Sequence, residues 1–359
     1  LISTPEGPIP IGDIVSRGLV GLTVFDGRLD GTGTAQVIAV KDNGQKPVFR
    51  IALKNGVCID ATADHLVWAK EARRTHGEWR RVDALAPGMR VELSTVTALD
   101  SRRDAAAEDE AALVGWLHGD GFVGQYEQGT NRSLTVEFMT INKDEFHFVQ
   151  ERIQRVFPEV HFHVRSVETQ TPGLEVRRIR LYGEVLRPFV EKYDLLRGPK
   201  EDVTISPGLR LAGREVQAAY LRALFQADGT VRLRSRRSRT SDVVLTTVSP
   251  QLARDVQALL LNLGIYARVQ RGTETRSNRR VPYFVSVGYA DARNRFRELI
   301  GFVSEEKRSK LDRACSTDYP GKRLPGLREE TILRIEALGV QPVYDIQTSS
   351  GQYLCNNVV

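Results

Sequence analysis

The sequence predicts a two-part molecule: an all-β domain built from both termini, interrupted by an α/β domain containing a duplicated αββαββα repeat. Three observations carry this. Two nine-residue stretches superpose position by position, Leu113-Val-Gly-Trp-Leu-His-Gly-Asp120-Gly121 and Leu221-Arg-Ala-Leu-Phe-Gln-Ala-Asp228-Gly229. The same succession of helix and strand patterns follows each of them. The chain before residue 100 and the chain after residue 320 are both β-like. The roughly 35 residues of the latter are too few for a core of their own.

Each element has its own signal. Residues 1–100 hold short β-rich runs at 1–4, 33–40, 47–53, 57–61 and 89–93, separated by Gly, Asn and Pro. Residues 101–110, charged and alanine-rich, read as a linker or as the first turn of the helix containing Leu113. After Asp120 the pattern gives a strand pair including 134–140, a helix over 143–156, strands near 161–167 and 174–182, and a helix over 184–193. After Asp228 it gives a basic strand, a strand at 243–248, a helix over 250–263, strands near 266–271 and 283–288, and a helix over 291–300. The turn-rich run Pro320-Gly-Lys-Arg-Leu-Pro-Gly326 marks the return to β structure, expected at 343–348 and 352–359. The expected domains are therefore 1–100, 101–319 and 320–359, the first and third forming one unit.

Composition narrows the class. Of 359 residues, 41% are hydrophobic and 27% charged, as in an ordinary globular protein. No apolar run approaches the ~20 residues of a membrane span, and no signal segment opens the chain, so no membrane partner and a cytoplasmic location are expected. Three scattered cysteines, Cys58, Cys315 and Cys355, fit a reducing compartment and have no zinc spacing. A net charge of +6 and a pI near 9.3 lean toward a polyanionic partner.

The paired motifs carry the chemistry. Gly115 and Gly119 in one helix, and Ala223 and Ala227 in the other, let two backbones approach closely. Packed along these faces, the helices bring Asp120 and Asp228 side by side at their C-terminal, negative ends. Two carboxylates so placed repel, and a divalent cation between them removes the repulsion and supplies a hydrolytic centre. The plainer alternative is a pair of helix-terminal Asp residues in ordinary turns. Directly after the second motif come Arg232, Arg234, Arg236, Arg237 and Arg239. Arg232 and Arg234 share one strand face by alternation, joined by Arg236 if the strand continues, and such a row can follow a DNA groove. The plainer alternative here is a solvated basic loop.

These residues resemble an intein carrying a LAGLIDADG homing endonuclease. Residues 113–121 and 221–229 match the two LAGLIDADG helices, and 214–228 resembles the second motif with its lead-in. The runs 249–265 and 296–311 are similar to the elements that follow. In the flanks, Thr62-Ala-Asp-His65 matches the TxxH motif of splicing domains, and Asp83-Ala-Leu-Ala-Pro-Gly88 the turn after it. Residues 343–348 and 353–359 resemble the C-terminal splicing strands. The 214–231 and 342–359 segments look most like inteins that interrupt ribonucleotide reductases.

The resemblance implies a horseshoe-like all-β Hint domain that splices its host flanks, the exteins, in cis, and a monomeric endonuclease cutting a long double-stranded DNA target across the insertion site. It implies two or three Mg²⁺ ions held by Asp120 and Asp228, with carbonyls of Gly119 and Ala227 as further ligands. It places a lysine near each scissile phosphate. Lys307 stands where the second is expected, and Lys200 is the candidate for the first, because Val203 occupies the usual lysine position and Ser206 that of a nearby proline. His118, opposite Gln226, is read as packing or a DNA contact. In the flanks, His65 would donate to the scissile amide, Thr62 would orient the same peptide, and Asp345 would handle protons. Family members begin with Cys or Ser and end in His-Asn. Neither junction is in the sequence, so splicing is expected only with the flanking residues added. A degenerate endonuclease that binds DNA without cutting, and a Hint autoprocessing domain without mobility, are the alternatives.

Overall fold

The computed structural model describes residues 1–27, 33–94, 104–125, 133–168, 175–196, 198–235, 240–274, 279–316 and 327–359. The chain divides into two units: residues 1–100, 257–270 and 322–359 in the first, and 101–256 and 271–321 in the second.

The first unit is built on two long antiparallel strands, Thr34–Leu53 and Leu327–Thr348, paired from Ile332 opposite Leu53 to Thr348 opposite Val37. They lie inside a seven-stranded sheet with Thr23–Phe25 beyond the former and Arg90–Ser94, Leu66–Lys70 and Glu78–Arg81 in turn beyond the latter. Cys58–Thr62 also pairs with Thr34–Leu53. A hairpin of Ile2–Thr4 and Gly7–Ile9 and the helix Ile11–Ser16 close one end. There Ile2, Ile9, Ile14, Val24, Ala35, Val37 and Ile346 form a buried cluster.

Three expectations are corrected in this unit. The short strands read at 33–40 and 47–53 are one 20-residue strand. The Asn43-Gly44 step that reads as a turn is an irregularity within it: Gly44 has φ +69, its N–H donates to Asp42 Oδ1 at 2.8 Å, and the register shifts between Pro342/Gln45 and Tyr344/Asp42. The pairing partner continues past the step, so the chain is held extended. The strand read at 352–359 is only a set of bridges, Cys355 to Ile2 and Val358, and Val358 to Leu93. Asn356 and Asn357 take positive φ of 49° and 63° and turn the chain, a conformation Asn tolerates. Finally, residues 257–270 do not group with the rest of 101–319. Gln257 donates to the carbonyls of Asn55 and Ala267 at 2.8 and 2.9 Å, and Val269 N–H donates to Asn55 O at 2.8 Å. The Tyr266 hydroxyl hydrogen-bonds Glu330, and the Arg328 guanidinium stacks on the Tyr266 ring at 3.6 Å. These bonds satisfy polar groups of a buried surface, which is why the segment joins this unit.

In the second unit, the helix Ala105–Asp120 starts inside the segment read as a linker or a first helical turn, capped by the Asp104 carboxylate, which accepts from Ala107 N–H at 3.0 Å. It leads into a four-stranded antiparallel sheet ordered Phe162–Ser166, Arg177–Tyr182, Thr135–Thr140, Gly121–Gly124. The helix Arg214–Asp228 leads into a second sheet, ordered Gly229–Arg232, Asp242–Thr247, Tyr283–Val287, Arg268–Arg271. The two sheets share one strand order when each is counted from its own helix. Helices Lys143–Val156 and Pro250–Asn262 lie between the strand pairs, Arg187–Lys192 and Ala290–Leu299 end the two patterns, and Glu305–Ser316 follows the second, the helix at 250–262 being divided between the units. Trp116, Tyr220, Phe138, Phe225 and Phe296 are fully buried in this core. Among the described residues no helix is long and apolar enough to cross a membrane.

Candidate functional site

The two motif helices pack along their small faces. A Cβ on Gly115 would lie 2.3 Å from Tyr220 O, and one on Gly119 would lie 2.5 Å from Ala227 Cβ and 3.6 Å from Asp228 Cγ. Gly121 and Gly229 leave their helices in extended, not left-handed, backbone. Glycine is required there by space, since a Cβ would lie 2.5 Å from Leu117 Cα and 2.4 Å from Phe225 O.

This packing brings the ends of the helices together, and with them Asp120 and Asp228. Burial first, then the Asp120 charge, pushes the Asp228 carboxyl up to about 6, against the pull of Lys200 and Lys307. Both lysines therefore reach the pair. Lys200, from the single turn Lys200–Asp202, donates its Nζ to Gly119 O at 2.9 Å. Lys307 donates to Gln226 O and Gly229 O at 2.5 and 2.7 Å. Burial lowers the Lys307 ammonium, while Glu145, Asp120 and Asp228 oppose that shift. With Val203 at the expected lysine position, the shifted Lys200 fills the place from three residues upstream.

A buried network supports the second lysine. The Gln226 side-chain amide donates to Glu145 Oε1 at 2.7 Å and Ser304 Oγ at 3.1 Å, and its carbonyl oxygen accepts the N–H groups of Val303 and Ser304. Glu145, 3% exposed and raised by desolvation, also accepts from Ile141 N–H at 2.8 Å. The position matching Gln226 is His118, whose Nδ1 lies 2.8 Å from the Tyr220 hydroxyl, so its role is packing. Sequence reasoning missed Glu145 entirely, because a helix-N-terminal acid has nothing in its pattern to mark it as buried.

The pair fits a divalent cation. Two carboxylates come together at the negative ends of two helices, and burial and then the Asp120 charge raise Asp228. Among the described residues no cluster of three or more His, Cys, Asp or Glu stands ready to hold a metal. Any further ligands are thus carbonyl, water or phosphate oxygens. Gly119 O is already an acceptor for Lys200, so a cation there would share or displace that ammonium.

The arginine row is only partly present. The strand ends at Arg232, whose guanidinium is paired with Asp242 at 3.0 and 3.1 Å, and Arg234 follows outside it, exposed. The reading of one continuous strand face is corrected accordingly. Arg236, Arg237 and Arg239 lie outside the described residues. The other sheet carries a basic face that sequence reasoning passed over. Arg165 pairs opposite Arg178, and His163 opposite Arg180. Glu137 offsets part of this charge, at 2.7 Å from Arg180 and 3.6 Å from Arg178. The alternation in Arg177-Arg-Ile-Arg-Leu-Tyr182 was the available signal.

A second constellation lies in the first unit. Thr62, His65 and Asp345 line one cavity of about 1110 Å³, together with Leu1 and Val359. His65 sits just past the strand Cys58–Thr62, its N–H donating to Thr62 O at 3.2 Å and its carbonyl accepting from Val82 N–H at 2.9 Å. Burial lowers the His65 pKa, and Asp345 opposes it more than Asp64 does. The Thr62 hydroxyl hydrogen-bonds Asp64, which helps hold that carboxyl below its ordinary range. The two ends of the chain are held against this cavity: Asn356 N–H donates to Leu1 O at 2.8 Å, Trp68 N–H to Val359 O at 3.2 Å, and Asn356 Nδ2 to Cys58 O at 2.7 Å. Among the described residues no disulfide joins Cys58, Cys315 or Cys355.

Comparison with known proteins places these features in context. A family model described as a LAGLIDADG-like domain matches residues 215–301. The chain is 29% identical over 331 residues to a replicative DNA helicase DnaB of Rhodothermus marinus, covering 89% of this chain and 33% of that protein. It is 29% identical over 321 residues to the ribonucleoside-diphosphate reductase NrdEB subunit alpha of Bacillus subtilis, covering 83% and 28%. It is 39% identical over 314 residues to a DNA polymerase of Thermococcus hydrothermalis, covering 83% and 18%. The chain thus spans a third or less of the length of these relatives. Among solved structures, it aligns with mesophilic variants of the homing endonuclease I-DmoI at TM-score 0.40 and 15% identity, over 55% of this chain and 97% of that one. It aligns with a variant of the Ssp DnaB mini-intein at TM-score 0.24 and 25% identity, over 29% and 63%.

Proposed function

The chain is an intein with an inserted LAGLIDADG-type domain, and on that premise we propose that it splices itself from a host protein and cuts double-stranded DNA at its own insertion site. The observation that carries the second activity is the meeting of Asp120 and Asp228 at the ends of two abutting helices, with Lys200 and Lys307 at the same point. Asp120 and Asp228, with main-chain carbonyls such as those of Gly119 and Ala227, would hold Mg²⁺. Bound there, the metal lowers the pKa of a water and polarises phosphate oxygens. Lys200 and Lys307 supply fixed positive charge where a phosphate gains charge in the transition state. Glu145 and Gln226 hold the turn at 303–304 from which Lys307 extends. The shared strand order of the two sheets supports an internal duplication in which one chain supplies both half-sites, and hence a monomer. The basic faces, Arg232 and Arg234 on one half and Arg165, Arg178 and Arg180 on the other, are the surfaces for the duplex phosphates.

For splicing, His65 is the proton donor to the scissile amide, its pKa lowered by burial against the charge of Asp345. Thr62 completes this site through its hydrogen bond to Asp64 and the turn it forms with His65. Extein peptides would meet this cavity in cis, in a reducing, cytoplasmic compartment. A linear duplex spanning the uninterrupted host site, incubated with Mg²⁺, tests the reading: the wild-type chain yields two fragments and Asp228→Asn yields none. Binding without cutting by the wild type would leave only a degenerate endonuclease.

A further inference from the structure

The second unit has a second cavity, about 460 Å³ in volume, whose lining includes none of Asp120, Asp228, Lys200 and Lys307. It lies among the helices Lys143–Val156, Arg214–Asp228, Ala290–Leu299 and Glu305–Ser316. Four arginines line it, Arg152, Arg222, Arg297 and Arg308, with Phe302 on the wall and Asp312 the sole lining carboxylate among the described residues. Like charges do not converge at this density without a reason, and their partners do not use them up. Arg152 Nη1 donates to Phe148 O at 2.9 Å, but its Nε is buried without a hydrogen bond, with Asp109 Oδ1 at 3.6 Å. That carboxylate already takes two hydrogen bonds from Arg155, at 2.6 and 3.0 Å. Arg222 is held in place by Ile300 O, which accepts from its Nε at 2.5 Å, and is otherwise only weakly bonded, to Leu299 O at 3.5 Å. Arg297 stands 3.7 Å from Asp312, beyond hydrogen-bond reach. Arg308 pairs with Glu305 at 3.1 Å, an exposed contact on its own helix. Burial is the main cause lowering Arg152 to about 10, with Arg155 and Arg222 adding to it.

We propose that this cavity is an oxyanion site that takes the phosphate group of a small molecule. Guanidinium forks match phosphate oxygens two at a time, and a recess of this size admits a diphosphate or a nucleotide tail while excluding a duplex backbone. The site stands independently of DNA cleavage and splicing, and its ligand is recognised whether or not either activity is present.

Calorimetric titration of the full chain with pyrophosphate, and separately with ATP, at fixed ionic strength tests it. One saturable site with a Kd below about 1 mM is expected for each. Arg297→Gln and Arg308→Gln change side chains that are 41% and 52% exposed, so they preserve the fold, and each weakens binding by about tenfold. Arg254→Gln, exposed on the helix Pro250–Asn262, leaves it unchanged. Equal affinity for the two ligands means the phosphates alone are read, and tighter ATP binding means the Phe302 wall contributes as well; either supports the site. Absence of binding overturns it, as does binding that survives both arginine substitutions or is lost equally in Arg254→Gln. Loss of duplex DNA affinity in the Arg297 and Arg308 variants, with no pyrophosphate bound by the wild type, overturns it too.

Discussion

Asp228 is a carboxyl group that the fold holds in an unfavourable place, and that cost can be measured. Its folded pKa of about 6 lies above the ordinary Asp value near 3.8, so the native state binds the proton more tightly than the unfolded chain. The stabilisation from that proton is complete below about pH 4 and lost as pH rises to about 6, a decline of up to about 3 kcal/mol in the metal-free protein. Asp228→Asn therefore unfolds at a higher temperature than the wild type at neutral pH, and at nearly the same temperature at pH 4. Mg²⁺ raises the wild-type midpoint and leaves that of the variant unmoved. An identical pH profile in both chains would remove the paired-carboxylate reading. His65 titrates in the opposite sense: its folded pKa is depressed, so its contribution is present above about pH 6.5 and lost as pH falls through the lower, folded value. Because the Asp345 charge opposes that depression, Asp345→Asn lowers the midpoint of the His65 ring further in an NMR titration. In a precursor with its host flanks restored, His65→Ala slows cleavage of the first junction by about 100-fold or more. What sequence could say at this scale was uneven. Asp120, Asp228, Lys307 and His65 stand in motifs whose residue types announce their chemistry. Lys200 needed a three-residue shift that only the backbone reveals, and Glu145 looks in sequence like any acid near a helix start.

At the scale of the element, the twin helices depend on two contacts of different hardness. The missing Cβ of Gly115 faces a main-chain oxygen, Tyr220 O, while that of Gly119 faces a methyl group, Ala227 Cβ. Either glycine replaced by alanine overpacks the seam and costs about 1–3 kcal/mol, read as a shift in the denaturation midpoint. Ala227→Gly in the Gly119→Ala background removes the opposing methyl and restores part of the loss. No side-chain change restores Gly115→Ala, because a backbone carbonyl cannot be trimmed. Rescue of both, or of neither, would mean the helices do not meet as described. These helices were legible because an apolar run with small residues four apart has few other uses. The long strands were not. An Asn-Gly step signals a turn in isolation, and only the uninterrupted partner strand Leu327–Thr348, hundreds of residues away, converts it into a bulge. Non-local pairing of this kind leaves no local trace, and the same holds for 352–359, where asparagines in the left-handed region break what alternation reads as a strand.

At the scale of the whole molecule, the division of the chain departs from its order along the sequence. A β unit interrupted by an insertion was readable from the likeness of the two ends and from the short C-terminal stretch. The return of 257–270 to that unit was not, since Gln257 and Tyr266 read as ordinary positions in the second repeat. Their bonds give the segment a structural duty outside the repeat. Asn55, fully buried, offers its carbonyl to both Gln257 and Val269, and Glu330, 5% exposed, depends on the Tyr266 hydroxyl. Removing either donor leaves a buried acceptor short of a partner, which costs about 1–3 kcal/mol. Tyr266→Phe keeps the ring beneath Arg328 and deletes only the hydroxyl, so packing stays constant while Glu330 loses its bond. Gln257→Ala does the same to Asn55 with a larger loss of volume. Hydrogen exchange reads the outcome locally: Val57 N–H, bonded to Asn55 Oδ1 at 3.1 Å, exchanges faster in Gln257→Ala, and Leu66–Lys70 amides at the sheet's other side do not. This stretch thus answers to the turn at 53–57 and to the strand Leu327–Thr348. Unchanged exchange at Val57 in both variants would return 257–270 to the second unit and restore the division expected from sequence.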